Sequence, residues 1–304
     1  MSKKLKILIL GAQGMLGQDM AEALASYKPI LFDRENLNLT DFSRVKEKLN
    51  RIRPNLIINC AGYTDVEKAE DNKDAANLIN GAVVGDLAQI CRDLNIILVH
   101  ISTEYVFDGE KKEGYDENDE TNSQNAYGKS KALGEKLLLE NGQKYYLIRT
   151  SWIYGHHLQK GKERGVNFVD RMMELAKERD ACPSTRRSGT RPGRQAAGAA
   201  RELNLVNDQF SKPTYTKDLC EAIKKLIEEK HKFGIYHLVN EDKTTPYEFA
   251  QEIFKIKKID IKTSPISYQD YPSKVARPIN AVLNNNKFPK LQSWKQALPD
   301  YLSD

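Results

Sequence analysis

A tyrosine and a lysine stand four positions apart in the stretch AYGKSKALGEK, residues 126–136, and the chain contains this spacing once. The alanines and leucines around them are good helix formers, so a helix would place Tyr127 and Lys131 one turn apart on the same face. A phenol beside an ammonium can form part of a proton-transfer site, but solvent-exposed lysines are common on helices. The spacing alone therefore leaves both interpretations open.

Three glycines follow the first apolar run of the chain, in ILGAQGMLGQDM. Glycines between a strand and a helix allow a tight turn, close approach of a pyrophosphate to backbone N–H groups, and close packing of the helix on the sheet. The sequence therefore predicts a dinucleotide site at Gly11, Gly14 and Gly17. Their spacing, GxxGxxG, differs from the more usual GxGxxG.

Two charged residues at the end of the second apolar run, PILFD, bear on the choice of cofactor. Asp33 follows Gly17 by 16 residues, and its carboxylate can accept hydrogen bonds from the adenosine ribose hydroxyls. Arg34 comes next, and its guanidinium could instead bind a 2′-phosphate. An ordinary charged turn is the third interpretation, so the choice between NAD and NADP stays open.

Short apolar runs alternate with amphipathic segments through the first half of the chain, as in a parallel sheet with helices on both faces. Strands are predicted at 5–10, 29–33, 55–60, 95–102 and 145–151. Helices are predicted at 15–27, 41–52, 74–94 and 126–141, the second of them capped by Thr40 or Asp41. Ligands of such sheets bind outside the carboxyl ends of the strands.

The alternation loosens after residue 155, where polar and proline-containing connections become longer. Helices are predicted at 167–179, 216–230 and 246–257, and strands at 203–207 and 234–239. The sequence thus predicts an α/β protein with a Rossmann-type NAD(P)-binding domain over residues 1–155. Residues 156–304 are predicted to form mainly a smaller α/β substrate-binding lobe, with some segments returning to the first domain.

Composition restricts the class of protein. The 304 residues are 40% hydrophobic and 29% charged, without a run of 18 apolar residues, so no membrane span is predicted. The four cysteines lack metal-ligand spacing and indicate reduced thiols in a cytoplasmic protein. No cluster of acidic residues specifies a metal site, and none is predicted.

One segment, residues 182–201, carries the excess positive charge, with five arginines and no acidic residue. Subtracting its charge from the net charge of +5 leaves the rest of the chain neutral, so nucleic acid is not a predicted partner. The segment contains no Ile, Leu, Val, Phe or Tyr. We therefore predict a disordered insertion over 181–201.

Nine motifs, in order along the chain, resemble those of the dTDP-4-dehydrorhamnose reductase family, within the extended short-chain dehydrogenases/reductases. They are GAQGMLG (11–17), NCAGYTDVEKAE (59–70), ISTEYVFDG (101–109), YGKSKALGE (127–135), IRTSWIYG (148–155), NFVDRMMELAKER (167–179), LVNDQFSKPTYT (205–216), GIYHLVN (234–240) and RP (277–278). The resemblance implies reduction of the 4-keto group of dTDP-4-dehydro-L-rhamnose to dTDP-L-rhamnose, with NADPH or NADH as cofactor.

The resemblance also implies catalytic roles. Tyr127 would donate a proton to the carbonyl oxygen, Lys131 would lower the pKa of that phenol and bind the nicotinamide ribose, and Thr103 would bind the same oxygen. The implied cofactor-binding residues are Gly11, Gln13, Gly14, Met15, Leu16, Gly17, Asp33, Arg34, Ala61, Gly62, Tyr63, Tyr127 and Lys131. The implied substrate-binding residues are Thr64, Val66, Thr103, Tyr105, Val106, Trp152 and Arg277.

Several of these assignments have alternatives. Trp152 and Val106 could belong to the core, and Arg277 could either approach a diphosphate or be part of a structural loop. Ser211 stands where the family usually has glycine. Two other functions stay open: reduction of another nucleotide-linked 4-ketosugar, and a non-catalytic regulatory role like that of a related subunit of methionine adenosyltransferase. Because family members are often dimers, a homodimer is a further expectation.

Overall fold

The structure is a computed structural model that describes residues 5–159, 165–180 and 202–303. Its strands are β1 (Ile7–Leu10), β2 (Ile30–Phe32), β3 (Leu56–Asn59), β4 (Ile97–Thr103), β5 (Tyr145–Thr150), β6 (Ile153–Tyr154), β7 (Leu203–Val206), β8 (Thr214–Tyr215), β9 (Gly234–His237) and β10 (Thr263–Ile266). Six of them form one sheet in the order β2–β1–β3–β4–β5–β9, and every neighbouring pair is parallel. The predicted parallel sheet is confirmed.

The helices are α1 (Met15–Ala23), α2 (Phe42–Ile52), α3 (Val66–Asp71), α4 (Lys73–Asn77), α5 (Val83–Asp93), α6 (Ala126–Asn141), α7 (Phe168–Asp180), α8 (Thr216–Glu228), α9 (Pro246–Ile256) and α10 (Trp294–Ser303). The helix predicted at 15–27 ends earlier, at Ala23, and a separate 3₁₀ turn follows it. The helix predicted at 74–94 is interrupted by a π-helical turn, Leu78–Ala82. The π-helical turn contributes a residue to the cleft region described below.

Helices cover both faces of the sheet, because side chains of a strand alternate between its two sides. Ile7 and Ile9 of β1 point to one side and pack in a cluster with residues of α1 and α8. Leu8 and Leu10 point to the other side, into a cluster with residues of α2 and α5. The doubly wound arrangement expected from the alternation of strands and helices is therefore confirmed.

The C-terminal half contributes to the main sheet and also has a core of its own. Strand β9 pairs with β5 at one edge of the six-stranded sheet. Two small parallel sheets, β7 with β10 and β6 with β8, lie outside it. A third cluster of buried side chains joins α7, α9 and α10, with Phe249 and Trp294 among them. Residues 202–303 thus build part of the six-stranded sheet as well as a separate core.

The insertion predicted at 181–201, including Cys182, lies outside the described residues. Cys60, Cys91 and Cys220 are free thiols. Within the ranges 5–159, 165–180 and 202–303, no helix combines the length and the apolar character needed to cross a bilayer.

Helix α2 begins at a side-chain cap. Asp41 Oδ1 accepts a hydrogen bond from the Arg44 backbone N–H at 3.0 Å, whereas the Thr40 hydroxyl donates to Asn38 Oδ1. Of the two predicted caps, Asp41 is therefore the one used. We expect Asp41→Ala to lower the free energy of unfolding by about 1 kcal/mol, measured by urea denaturation. Thr40→Ala is the matched control, with an expected change below about 0.5 kcal/mol; equal losses would contradict this assignment.

Candidate active site

A cleft of about 1730 Å³ lies at the carboxyl ends of the parallel strands. Residues that directly follow β1 to β5 line one side of it, and residues of the C-terminal lobe line the other. Open parallel sheets bind their ligands at this edge. All thirteen residues predicted to bind the cofactor line this cleft.

The glycine loop between β1 and α1 leaves space for a ligand. Gly11 has a φ of +71°, and a Cβ on Gly17 would lie 2.2 Å from the Gly11 carbonyl oxygen, so both positions require glycine. Gly14 is the N-cap of α1 and provides no side-chain hydrogen bond to the helix. The first N–H groups of α1 thus meet no capping side chain, which fits the pyrophosphate of a dinucleotide.

Asp33 follows β2 at the edge of the cleft, as predicted for a ribose contact. Its carboxylate accepts hydrogen bonds from the Gln13 side-chain amide and from the Glu35 backbone N–H, the latter at 2.9 Å. Arg34 is exposed beside it and also lines the cleft. The structure thus places a carboxylate and a guanidinium side by side after β2, and their contact with the 2′ position of the cofactor stays a prediction.

We expect Asp33→Ala to weaken NADH binding more than NADPH binding, because the carboxylate accepts from ribose hydroxyls and repels a 2′-phosphate. Arg34→Ala should weaken NADPH binding alone. Fluorescence titration of both variants with both cofactors measures the four affinities. Equal losses for NADH and NADPH in both variants would show that neither residue contacts the 2′ position.

The π-helical turn positions Asn80, a buried residue that the sequence did not single out. Its Oδ1 accepts from the Tyr63 backbone N–H at 2.8 Å, and its Nδ2 donates to the Tyr63 carbonyl and to Ser130 Oγ. Gly134 lets the two helices approach, since a Cβ there would lie 2.0 Å from the Asn80 carbonyl oxygen. Asn80 therefore links the loop after β3, with Ala61 and Gly62 in it, to helix α6.

Helix α6 and the end of β4 bring the three predicted catalytic residues to one place in the cleft. Asn125 caps the helix, accepting from the Gly128 N–H at 2.8 Å, so Tyr127 lies in its first turn. The Tyr127 hydroxyl hydrogen-bonds Thr103, the last residue of β4. Lys131 Nζ donates to the Ile101 carbonyl at 2.9 Å and lies beside Gly62.

Thr103, Tyr127 and Lys131 are called the trio from here on. Burial shifts the pKa values of two of them, Tyr127 and Lys131. Burial raises the pKa of Tyr127 above its usual value and the Glu104 carboxylate raises it further, while the hydrogen bond with Thr103 lowers it. Burial lowers the pKa of Lys131 to about 8, against the opposing effect of Glu135. Burial dominates the pKa of Tyr127 in this structure and the Lys131 ammonium donates to the Ile101 carbonyl, so the lowering of the Tyr127 pKa by Lys131 stays a prediction.

Glu104 is a buried carboxylate next to the trio that the sequence did not single out. Thr103 Oγ1 donates to Glu104 Oε2 at 2.8 Å and accepts from the Tyr105 backbone N–H at 3.2 Å. The Thr103 hydroxyl carries one hydrogen, which it donates to Glu104 in this structure. The side chain is therefore held in a fixed orientation beside the phenol.

A buried ion pair lies one turn further along the same face of α6. Arg149 on β5 binds both carboxylate oxygens of Glu135, with the shortest contact at 2.7 Å, and Ser102 Oγ donates to Glu135 Oε1 at 2.5 Å. Ser102 immediately precedes Thr103, and Glu135 lies one turn after Lys131 on the same helix. The bidentate pair thus joins α6 to β5, and the Ser102 hydrogen bond joins the same helix to β4, the strand that ends in Thr103.

On the substrate side, Thr64, Val66, Tyr105, Trp152 and Arg277 line the cleft as predicted. Trp152 is partly exposed and has a φ of +41°, uncommon for a bulky residue and typical of functional sites where it occurs. The Arg277 guanidinium donates to the Tyr105 hydroxyl at 2.9 Å and to Glu67 at 2.7 Å.

The prediction of a substrate contact at Val106 is wrong. Its side chain is fully buried and packs with Phe107, Tyr115, Val239 and Leu283, in a cluster behind the cleft wall. Tyr105, its neighbour in the same 3₁₀ turn, lines the cleft instead. Because adjacent residues in a tight turn point in different directions, a motif match alone could not separate them.

Three side chains outside the trio have the chemistry of metal ligands. Asp19, Glu22 and His157 present atoms within 4.8 Å of one another. His157 Nε2 lies 3.4 Å from Asp19 Oδ1 and 3.1 Å from Glu22 Oε1, distances of an ordinary hydrogen bond or ion pair. Burial raises the pKa of Asp19, which disfavours its charged form. The absence of a metal site stays a prediction.

Comparison with known proteins agrees with this geometry. The family model described as "RmlD substrate binding domain" matches residues 5–185 and 194–304. A dTDP-4-dehydrorhamnose reductase from Escherichia coli K12 is 34% identical, over 98% of this chain and 94% of the relative. A dTDP-4-keto-6-deoxy-D-glucose reductase from Streptomyces niveus is 32% identical, over 95% and 90%.

A similar solved structure is that of dTDP-4-dehydrorhamnose reductase from Bacillus anthracis in complex with NADP. It superposes with a TM-score of 0.86, at 34% identity, over 99% of both chains. The UDP-glucose 4-epimerase of Thermus thermophilus, solved with NAD, has a TM-score of 0.67 at 18% identity and so shares the fold. The motif resemblance inferred from the sequence is confirmed.

Proposed function

Because the chain belongs to the RmlD substrate binding domain family, we propose that it reduces the 4-keto group of dTDP-4-dehydro-L-rhamnose to give dTDP-L-rhamnose. The observation that carries this proposal is the meeting of Thr103, Tyr127 and Lys131 at the strand ends, beside the glycine loop. A ketone reductase needs a proton donor, a second group on the carbonyl oxygen and a cofactor site adjoining both. The cleft offers all three.

Family membership confirms the predicted class of enzyme, an NAD(P)H-dependent oxidoreductase, and the predicted cofactor, NADPH or NADH. The glycine loop and the uncapped start of α1 fit the pyrophosphate of such a cofactor. When bound, the cofactor supplies the hydride that reduces the carbonyl carbon. Gly62 and Lys131 adjoin one another, so they would hold the nicotinamide end near Tyr127.

The trio supplies the proton. Reduction turns the carbonyl carbon into a C–H centre, and the oxygen becomes an alkoxide that must be protonated. Tyr127 is the donor: it keeps its hydrogen at neutral pH because burial raises its pKa. Thr103 adjoins the phenol and would bind the same oxygen once its hydroxyl turns from Glu104 towards the substrate. The tyrosinate that remains is then reprotonated from solvent.

Two alternatives remain candidates. The Streptomyces niveus relative, named for a different 4-keto sugar at 32% identity, supports a reductase of another nucleotide-linked 4-ketosugar. A non-catalytic regulatory subunit would not need a proton donor in contact with Thr103, so the intact trio speaks against it.

The test is the oxidation of NADPH and of NADH, followed by absorbance, with a panel of nucleotide-linked 4-ketosugars. We expect the fastest turnover with dTDP-4-dehydro-L-rhamnose, and dTDP-L-rhamnose as the product identified by NMR. A faster reaction with a different sugar would select the first alternative. The absence of turnover with every sugar, by a folded protein that binds NADPH, would support the regulatory role.

A further inference from the structure

Two side chains on the loop between β7 and β8 are buried and have polar groups without partners. Gln209 is 7% exposed and Ser211 is 0% exposed. Neither Gln209 Nε2 nor Ser211 Oγ has a hydrogen-bond partner among the residues that the structure describes. Both residues line the cleft. Native proteins leave few buried polar groups unpaired, so two neighbouring cases at a ligand site need an explanation.

Backbone pairing holds this loop in place on both sides. The Phe210 N–H donates to the Ile279 carbonyl at 2.7 Å, and the Ala281 N–H donates to the Phe210 carbonyl at 2.9 Å. Ser211 exchanges two backbone hydrogen bonds with Thr244, at 3.1 and 2.9 Å. The orientation of the loop thus does not depend on hydrogen bonds of the Gln209 and Ser211 side chains, which leaves these free to serve a ligand.

The same pairing brings the loop next to Arg277. This arginine precedes Ile279 by two residues, lines the cleft, and has an Nε that is buried without a partner among the described residues. The unpaired groups on this wall are therefore an amide N–H, a hydroxyl and a guanidinium N–H, all of which can donate. Donors beside a guanidinium suit an oxygen-rich anion.

The chemistry of the cleft indicates which anion this is. The glycine loop after β1 already provides the site for the cofactor's pyrophosphate, whereas Gln209, Ser211 and Arg277 belong to the C-terminal lobe. Resting on the proposed function, we propose that Gln209 and Ser211, together with Arg277, bind the diphosphate of the sugar nucleotide. The hydroxyl of Ser211, at a position where the motif led us to expect glycine, adds a donor that glycine would not provide.

The test uses calorimetric titration of the full chain with dTDP and, separately, with NADPH. Gln209→Met keeps the shape of the side chain and removes its N–H donor; we expect dTDP affinity to fall about tenfold or more. Ser211→Ala should lower it about threefold or more. The loss should be smaller with dTMP, which lacks the second phosphate, and NADPH affinity should not change.

Thermal unfolding separates ligand binding from a structural role. Each variant removes a buried unpaired donor, so its melting temperature should equal or exceed that of the wild type. Gln292→Met is the control: this exposed amide donates to Asp218 and lies outside the cleft, so dTDP affinity should stay at the wild-type value.

The titration results distinguish a failure of the proposed function from a failure of this inference. If the wild type does not bind dTDP, the proposed substrate and this inference are both wrong. If the wild type binds dTDP and both variants bind it equally well, only the inference is overturned. Equal losses with dTMP and dTDP would move the contacts to the nucleoside and overturn the assignment to the diphosphate. Lower melting temperatures together with weaker NADPH binding would indicate a structural role instead.

Discussion

Replacing Tyr127 by phenylalanine should lower kcat by at least about 10²-fold while NADPH affinity stays close to that of the wild type. The substitution removes the hydroxyl that hydrogen-bonds Thr103 and keeps the ring, which packs edge-to-face against Tyr105 at a centroid distance of 5.7 Å. Because the alkoxide then has no adjacent proton donor, the loss falls on the chemical step. Steady-state kinetics and fluorescence titration with NADPH separate the two effects.

Tyr105→Phe is the matched control, since it removes a second phenol hydroxyl from the same cleft. That hydroxyl accepts from Arg277 at 2.9 Å, and the hydrogen bond from Tyr105 to Thr103 comes from the Tyr105 backbone N–H. We therefore expect a higher KM with a nearly unchanged kcat. Normal turnover by Tyr127→Phe, or equal losses of kcat in the two variants, would show that Tyr127 is not the proton donor.

The fold was accessible from the sequence because its signals are local. Buried parallel strands are continuous apolar runs. The strand predicted at 55–60 differs from the observed Leu56–Asn59 by one residue at each end, and the strand predicted at 145–151 differs from Tyr145–Thr150 by one residue at its C-terminal end. The interruption of the helix at Leu78–Ala82 was not accessible. It coincides with the side-chain contacts of Asn80 to Tyr63 and Ser130, which are far away in sequence.

The candidate site also has features that local sequence signals predict and features that they do not. The positions of Gly11, Gly17, Tyr127 and Lys131 in the cleft could be predicted, since each belongs to a motif whose spacing follows from a turn or a helix. The orientation of side chains could not: Tyr105 lines the cleft while Val106 enters the core. The directions of the pKa shifts of Tyr127 and Lys131 could not be predicted either, because they depend on how deeply the fold buries these side chains.

The buried Lys131 is the position of the second substitution for which we expect a large loss of activity. Replacing it by methionine removes the ammonium that donates to the Ile101 carbonyl at 2.9 Å and adjoins Gly62. We expect kcat/KM to fall by at least about 10²-fold and NADPH to bind more weakly, because the substitution removes the positive charge and the proposed contact with the nicotinamide ribose. The same kinetic and titration measurements apply. Lys131→Arg, which keeps the charge, should retain part of the NADPH affinity.

The pH dependence tests the charge of Lys131 directly. Burial lowers its pKa from 10.5 to about 8, so the ammonium is present below pH 8 and is lost above it. If the ammonium is needed, kcat/KM of the wild type should fall as the pH rises through about 8, since this parameter reports the ionisation of the free enzyme. Lys131→Met should lack this fall.

The same pKa predicts the sign of the effect on stability. A lysine whose pKa is lower in the folded state than in the unfolded state binds fewer protons when folded, so its charged form disfavours folding below pH 8. Lys131→Met should therefore unfold at an equal or higher temperature than the wild type at pH 7, despite its loss of activity. A large drop in melting temperature would mean that the ammonium and its bond to Ile101 support the fold. A fall in kcat/KM through pH 8 that persists in the methionine variant would assign that ionisation to a different group.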